Sequence, residues 1–108
     1  MRGMLLDLIN RLDEVDDSDR FAPLEIYAKG GPKADSDAVA VVCHGDEEGT
    51  LLCPEDPTLG YVLSAELAKE AIEVWSKWRG GKSPEPQEKY AAVLYYSRHD
   101  AYLPVEDA

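Results

Sequence analysis

The chain has 108 residues, 44% hydrophobic and 31% charged, the balance of one globular domain and not of a wholly disordered chain. Twenty-two acids against eleven bases give a formal net charge of −11. Binding of DNA or RNA, or attachment to an anionic membrane, needs clustered Lys and Arg that this composition does not offer.

The first segment, MRGMLLDLINRLDEVDD, places Leu5, Leu8, Ile9 and Leu12 at helical spacing, with Met4 and Val15 extending the stripe. The pattern predicts an amphipathic helix over residues 3–15. Asp7 and Arg11 interrupt the apolar run, so it does not read as an export signal, and the cytoplasm is the expected compartment. Cys43 and Cys53 are then expected as thiols. No stretch approaches the roughly 18 consecutive apolar residues of a membrane span.

Residues 24–28, LEIYA, alternate Leu24, Ile26 and Ala28 against Glu25 and Tyr27, the pattern of a strand with one buried face. Gly30–Gly31–Pro32 ends it. Residues 38–43, AVAVVC, form a short β-branched run that predicts a central strand buried on both faces. Residues 45–49 form an acidic turn, and Thr50–Cys53 is expected to return as a hairpin arm that stops before Pro54 and Pro57. Residues 61–63 offer a fourth extended piece.

Ser64 is a good N-cap for a helix bearing Leu67, Ala68, Ala71, Ile72, Trp75 and Trp78 on one face. Gly80–Gly81 supplies its stop. Ser83–Pro84 is expected to open the last helix, with Tyr90, Ala91, Val93, Leu94 and Ser97 turned inward. Residues 105–108 read as a frayed acidic tail. The order predicts an α+β fold in a single domain, 1–108: an N-terminal helix, a central antiparallel sheet of three to four strands, and two C-terminal helices packed on one face. No βαβ alternation suggests a doubly wound sheet.

Few residues could carry chemistry. Cys43, His44, Cys53 and His99 are the soft metal ligands. Adjacent Cys43 and His44 point to opposite sides of a strand, so no metal or other cofactor is expected. A nucleophilic site built from Cys43 or Cys53 with His99 and Asp100 has no local signature behind it. Gly30–Gly31–Pro32–Lys33 lacks the spacing of a phosphate loop and reads as a turn.

The acid excess is uneven. Residues 1–25 carry −4, residues 38–63 carry −5 and residues 101–108 carry −2, while the remaining segments balance. Asp46, Glu47, Glu48, Glu55 and Asp56 supply the middle excess with no base among them. They lack the ligand spacing of a calcium loop. They read as either a solvated turn that keeps the protein soluble or a patch for a basic protein partner. Trp75, Trp78, Tyr95, Tyr96 and Tyr102 form a second group, suited to core packing or to an aromatic contact surface.

The segment EPQEKYAAVLYYSRHDAYL, with its Tyr95–Tyr96 pair and Asp100–Ala101–Tyr102 step, resembles the closing helix of small acidic bacterial proteins of unknown function. The Pro54–Glu55–Asp56–Pro57 stretch and the helix start at Val62–Leu63–Ser64 are also similar. Members of that group resemble immunity proteins, which neutralise a toxin by binding it. The resemblance covers about a fifth of the chain and implies no catalytic residues. The expectation is a non-catalytic, acidic protein-binding module of the immunity or inhibitor kind that occludes a basic partner protein such as a toxin. The alternatives are a nucleic-acid-mimicking inhibitor of a defence nuclease and a small cysteine-dependent enzyme.

Overall fold

A computed structural model describes residues 2–14, 24–42, 53 and 56–105. The described elements are β1 (Arg2–Met4), α1 (Leu5–Asn10), a single 3-10 turn (Leu12–Glu14), β2 (Leu24–Lys29), β3 (Asp37–Val42), β4 (Leu59–Ser64), α2 (Ala65–Lys77) and α3 (Pro86–His99). The strands form one antiparallel sheet in the order β1-β3-β2-β4, and the three helices pack on one of its faces. The class is α+β, as the element order implied.

The N-terminal helix is much shorter than the apolar spacing suggested. Arg2–Met4 is extended because it pairs with Asp37–Val39 of β3, and Met4 stays largely exposed. Helix α1 begins only at Leu5. Its first amides have no side-chain cap; Leu5 and Leu6 N–H donate instead to the carbonyls of Ser36 and Ala34 in the β2–β3 connection, at 2.8 and 2.9 Å. Leu5, Leu8, Ile9 and Leu12 are all buried, as their spacing predicts, but the stripe is divided between α1 and the 3-10 turn. Val15 lies outside the described residues.

Strand β3 is central and buried on both sides, as its valine-rich run predicted. Ala38 and Ala40 meet the helices, while Val39 and Val41 point the other way. The same geometry corrects the one-faced reading of β2: Glu25 and Tyr27 lie opposite Val41 and Val39 and are buried with them. The Gly45–Gly49 turn and residues 50–52 of the expected hairpin arm lie outside the described residues. Cys53 is not in a strand, although its N–H donates to the Leu59 carbonyl at 2.9 Å.

Strand β4 carries a bulge. Ile26 pairs with Leu63 but Tyr27 pairs with Tyr61, so Val62 is the extra residue. The bulge turns both Val62 and Leu63 toward the helices and leaves Tyr61 on the far side beside Tyr27. Helix α3 is tied to this point, because the Ser97 hydroxyl donates to the Val62 carbonyl at 2.8 Å.

Ser64 caps α2 as expected, its hydroxyl accepting from Leu67 N–H at 3.2 Å. Gly81 adopts φ +83 and its N–H closes on the Ser76 carbonyl at 2.8 Å, a conformation that favours glycine. Helix α3 starts at Pro86, two residues later than Pro84. There Glu85 is the N-cap, and its N–H donates to the Glu88 carboxylate at 2.9 Å, half of a capping box that Ser83 does not offer. Its inward residues are Ala92, Val93 and Leu94; Ala91 faces out, one position off the expected stripe.

Candidate functional site

Of the five carboxylates singled out in the acidic segment, Asp46, Glu47, Glu48 and Glu55 lie outside the described residues. Asp56 is described, and its side chain is held from three directions. One oxygen, Oδ1, accepts from Thr58 N–H at 3.1 Å and from Thr58 Oγ1 at 2.6 Å. The other, Oδ2, accepts from Arg2 at 3.1 Å. The Thr58 hydroxyl and amide, and then the Arg2 guanidinium, hold the carboxyl below its ordinary range. The same Arg2 nitrogen donates to Asp37 at 2.6 Å. Asp56 therefore ties the residues just before Leu59 to β1 and β3 through Arg2, in addition to any role as a surface charge.

Leu59 itself packs on the sheet face opposite the helices. The face carries Tyr27, Val39, Val41, Cys53 and Leu59, all buried, with Tyr61 packed against them. The rings of Tyr27 and Tyr61 meet edge to face at 5.7 Å. Within this apolar setting sits Glu25, the one charged side chain buried among the described residues. The Tyr61 hydroxyl donates to it. Burial first, and then the Glu25 contact, push the Tyr61 phenol well above its ordinary range, while the Ser64 amide acts in the opposite sense. A buried carboxylate needs such donors, since an unpaired one costs several kcal/mol (about 2 or more).

Sequence reading missed the Glu25–Tyr61 pair. The signal was available in β3: if Val39 and Val41 are buried on the far face, Glu25 and Tyr27 opposite them must be buried too. Only the bulge at Val62, which delivers Tyr61, leaves no trace in the alternation.

The aromatic group is resolved into a fixed edge. Trp75 is buried, with the Arg79 guanidinium 4.4 Å from its ring centre. Trp78 is 50% exposed, so it belongs to the surface and not to the core. It meets Tyr102 edge to face at 5.8 Å, and Tyr102 leans on Tyr96 at 5.2 Å. The segment after α3 is strapped down over α2. The Tyr102 hydroxyl donates to Glu70 at 2.8 Å, which pushes its phenol up to about 12, and Arg79 donates to the Pro104 carbonyl at 3.0 Å.

Cys53 and His99 are not brought together. Cys53 is 1% exposed in the far-face cluster, whereas His99 is exposed at the end of α3 on the helical side, stacked on Tyr95 at 4.2 Å. Cys43 and His44 lie outside the described residues. Among the described residues no three His, Cys, Asp or Glu side chains are grouped to hold a metal ion, and no helix is long and apolar enough to cross a membrane. No protein-family model, curated protein or solved structure matches the chain.

Proposed function

We propose that the chain is a non-catalytic, acidic protein-binding module of the inhibitor or immunity kind, acting in the cytoplasm by occluding a basic surface on a partner protein such as a toxin. The observation that carries this reading is the segregation of charge. Residues 64–100, which carry α2 and α3, hold six acids and six bases, whereas residues 38–63 hold five acids and no base. A charge excess kept only for solubility has no need to leave one stretch of the chain balanced and load another. Complementary fields raise association rates and select against wrong partners.

Two features support the reading. Asp56, the last of the five acids in sequence, is held in place by Thr58 and Arg2. The half-exposed Trp78, braced by Tyr102, has the composition of an interface anchor: a large ring held in place before contact. In this mechanism the carboxylates of Asp46, Glu47, Glu48 and Glu55 steer the approach, and the aromatic residues hold the complex.

The test is capture of a partner from the source cell by wild-type protein and by two variants with equal charge change. One carries Asp46→Asn, Glu47→Gln, Glu48→Gln and Glu55→Gln, with Asp56 kept because it holds Arg2. The other carries Asp35→Asn, Glu66→Gln, Glu73→Gln and Asp100→Asn, with Glu70 kept because it holds Tyr102. The reading predicts that a basic protein is retained at low salt by wild type and by the second variant, and lost by the first. Equal retention by both variants contradicts it. Displacement of the captured protein by duplex DNA marks a nucleic-acid mimic instead.

A further inference from the structure

We infer that the hollow beside α3 is a small-molecule site whose ligand is a flat aromatic compound bearing one carboxylate. The hollow is open and about 370 Å³ in volume, and its lining includes Gln87, Tyr90, Tyr95, Arg98, His99 and Leu103. Small-molecule sites of this size join aromatic or apolar walls to a few placed polar groups.

The convergence of two donors carries the inference. The Tyr90 hydroxyl and an Arg98 guanidinium N–H donate to one acceptor, the Pro32 carbonyl in the β2–β3 connection, each at 3.5 Å. Well-formed bonds from such donors close to about 2.7–3.0 Å. One carbonyl thus gathers two strong donors in the same place and leaves both contacts long. Among the described residues Arg98 forms no ion pair. A carboxylate brings two oxygens and a negative charge, so it can accept from the guanidinium and the phenol together. Such charge-assisted bonds are shorter and about twice as strong as neutral ones.

The rest of the lining selects the shape and the number of charges. The rings of Tyr95 and His99 lie 4.2 Å apart and tilted by 34°, a double-ring surface one residue either side of Arg98 in space and sequence order along α3. A flat ring packs well on such a surface. Arg98 is the permanent positive charge of the lining, and a single carboxylate matches it. A second negative charge on the ligand would meet only the repulsion of a chain of net charge −11.

The site shares no residue with the acidic segment or with the Trp78 edge, so it stands whether or not the chain binds a basic protein. With one ion pair and one ring to contribute, the dissociation constant is expected on the order of 0.1–1 mM.

Titration of the nitrogen-15-labelled full chain with indole-3-acetate, followed by amide chemical shifts, tests the inference. Saturable shifts are expected and should be concentrated in residues 87–103. Indole-3-acetamide, the neutral analogue, and hexanoate, which has the carboxylate but no ring, should each bind about tenfold more weakly or worse. Arg98→Gln should weaken binding of indole-3-acetate about tenfold, and Tyr90→Phe about threefold or more. Lys89→Gln removes the same charge from the same helix outside the lining, and should change the affinity by less than about twofold. Arg98 is exposed and Tyr90→Phe keeps the ring, so both variants should fold, which their amide spectra verify. Absence of saturable shifts in residues 87–103 overturns the inference. So does equal binding of the acetamide, or an Arg98→Gln chain that binds as well as the Lys89→Gln chain.

Discussion

The two faces of the sheet are built from different materials. The face under the helices is aliphatic: Ile26, Ala28, Ala38, Ala40, Val62 and Leu63 meet Leu5, Leu8, Ile9, Ala68, Val93 and Leu94. The opposite face is just as buried but mixed, with two tyrosines, a thiol and a carboxylate among its valines. Aliphatic packing is tolerant, since what it needs is volume and shape. A buried carboxylate needs a particular donor at a particular place, so it fixes geometry as well as energy. Cys53 and Leu59 belong to that far face, and Asp56 is bonded to Arg2 of β1.

The largest effect that sharpens this contrast comes from comparing neighbours in β2. Ile26→Ala on the helical face and Tyr27→Ala on the far face should each cost about 3–5 kcal/mol in equilibrium unfolding. A Tyr27→Ala cost under about 1 kcal/mol would mean that the far face is not a core. Next in size is Tyr61→Phe, which removes only the hydroxyl given to Glu25 and should cost about 1–3 kcal/mol. A double-mutant cycle with Glu25→Gln should show coupling between the two, whereas additive costs would break the pair.

Smaller again is Ser97→Ala, at about 0.5–1.5 kcal/mol. It frees the bulge carbonyl of Val62, and its amide exchange with solvent deuterium around residues 61–63 should quicken. A stability unchanged by this substitution would show that α3 does not hold the bulge.

The smallest effect is a pH dependence. The Asp56 carboxyl titrates lower in the folded chain than its ordinary 3.8. A lowered carboxyl contributes stability above its unfolded value and loses it as pH falls through the folded one. Unfolding midpoints should therefore drop on acidification, and Asp56→Asn should show a shallower drop. An identical acid limb in both proteins would remove Asp56 from the account.

Much of this architecture could be read from residue order. Ser64 before Leu67 and Ala68, and the glycine pair at 80–81, marked α2 because caps and stops are local chemistry. The valine run marked β3 as central. The limits of α1 and α3 were misread for a non-local reason at one end and a local one at the other. Residues 2–4 are claimed by pairing with a strand 35 residues away. The start of α3 was a choice between two nearby prolines, settled by Glu85 and Glu88. Of the acidic segment, sequence supplied the charges but not the attachment of Asp56 to Arg2, which depends on β1 existing at all. The Glu25–Tyr61 pair was partly legible, and the bulge that makes it was not.

The association rate of the wild-type chain with its captured partner, followed across a range of ionic strengths, bears most directly on the binding account. Set beside it, the variant lacking the charges of Asp46, Glu47, Glu48 and Glu55 should associate more slowly at low salt and lose most of the salt dependence, while its dissociation rate changes little. Equal rates and equal salt slopes for the two proteins would show that these carboxylates serve solubility and nothing more.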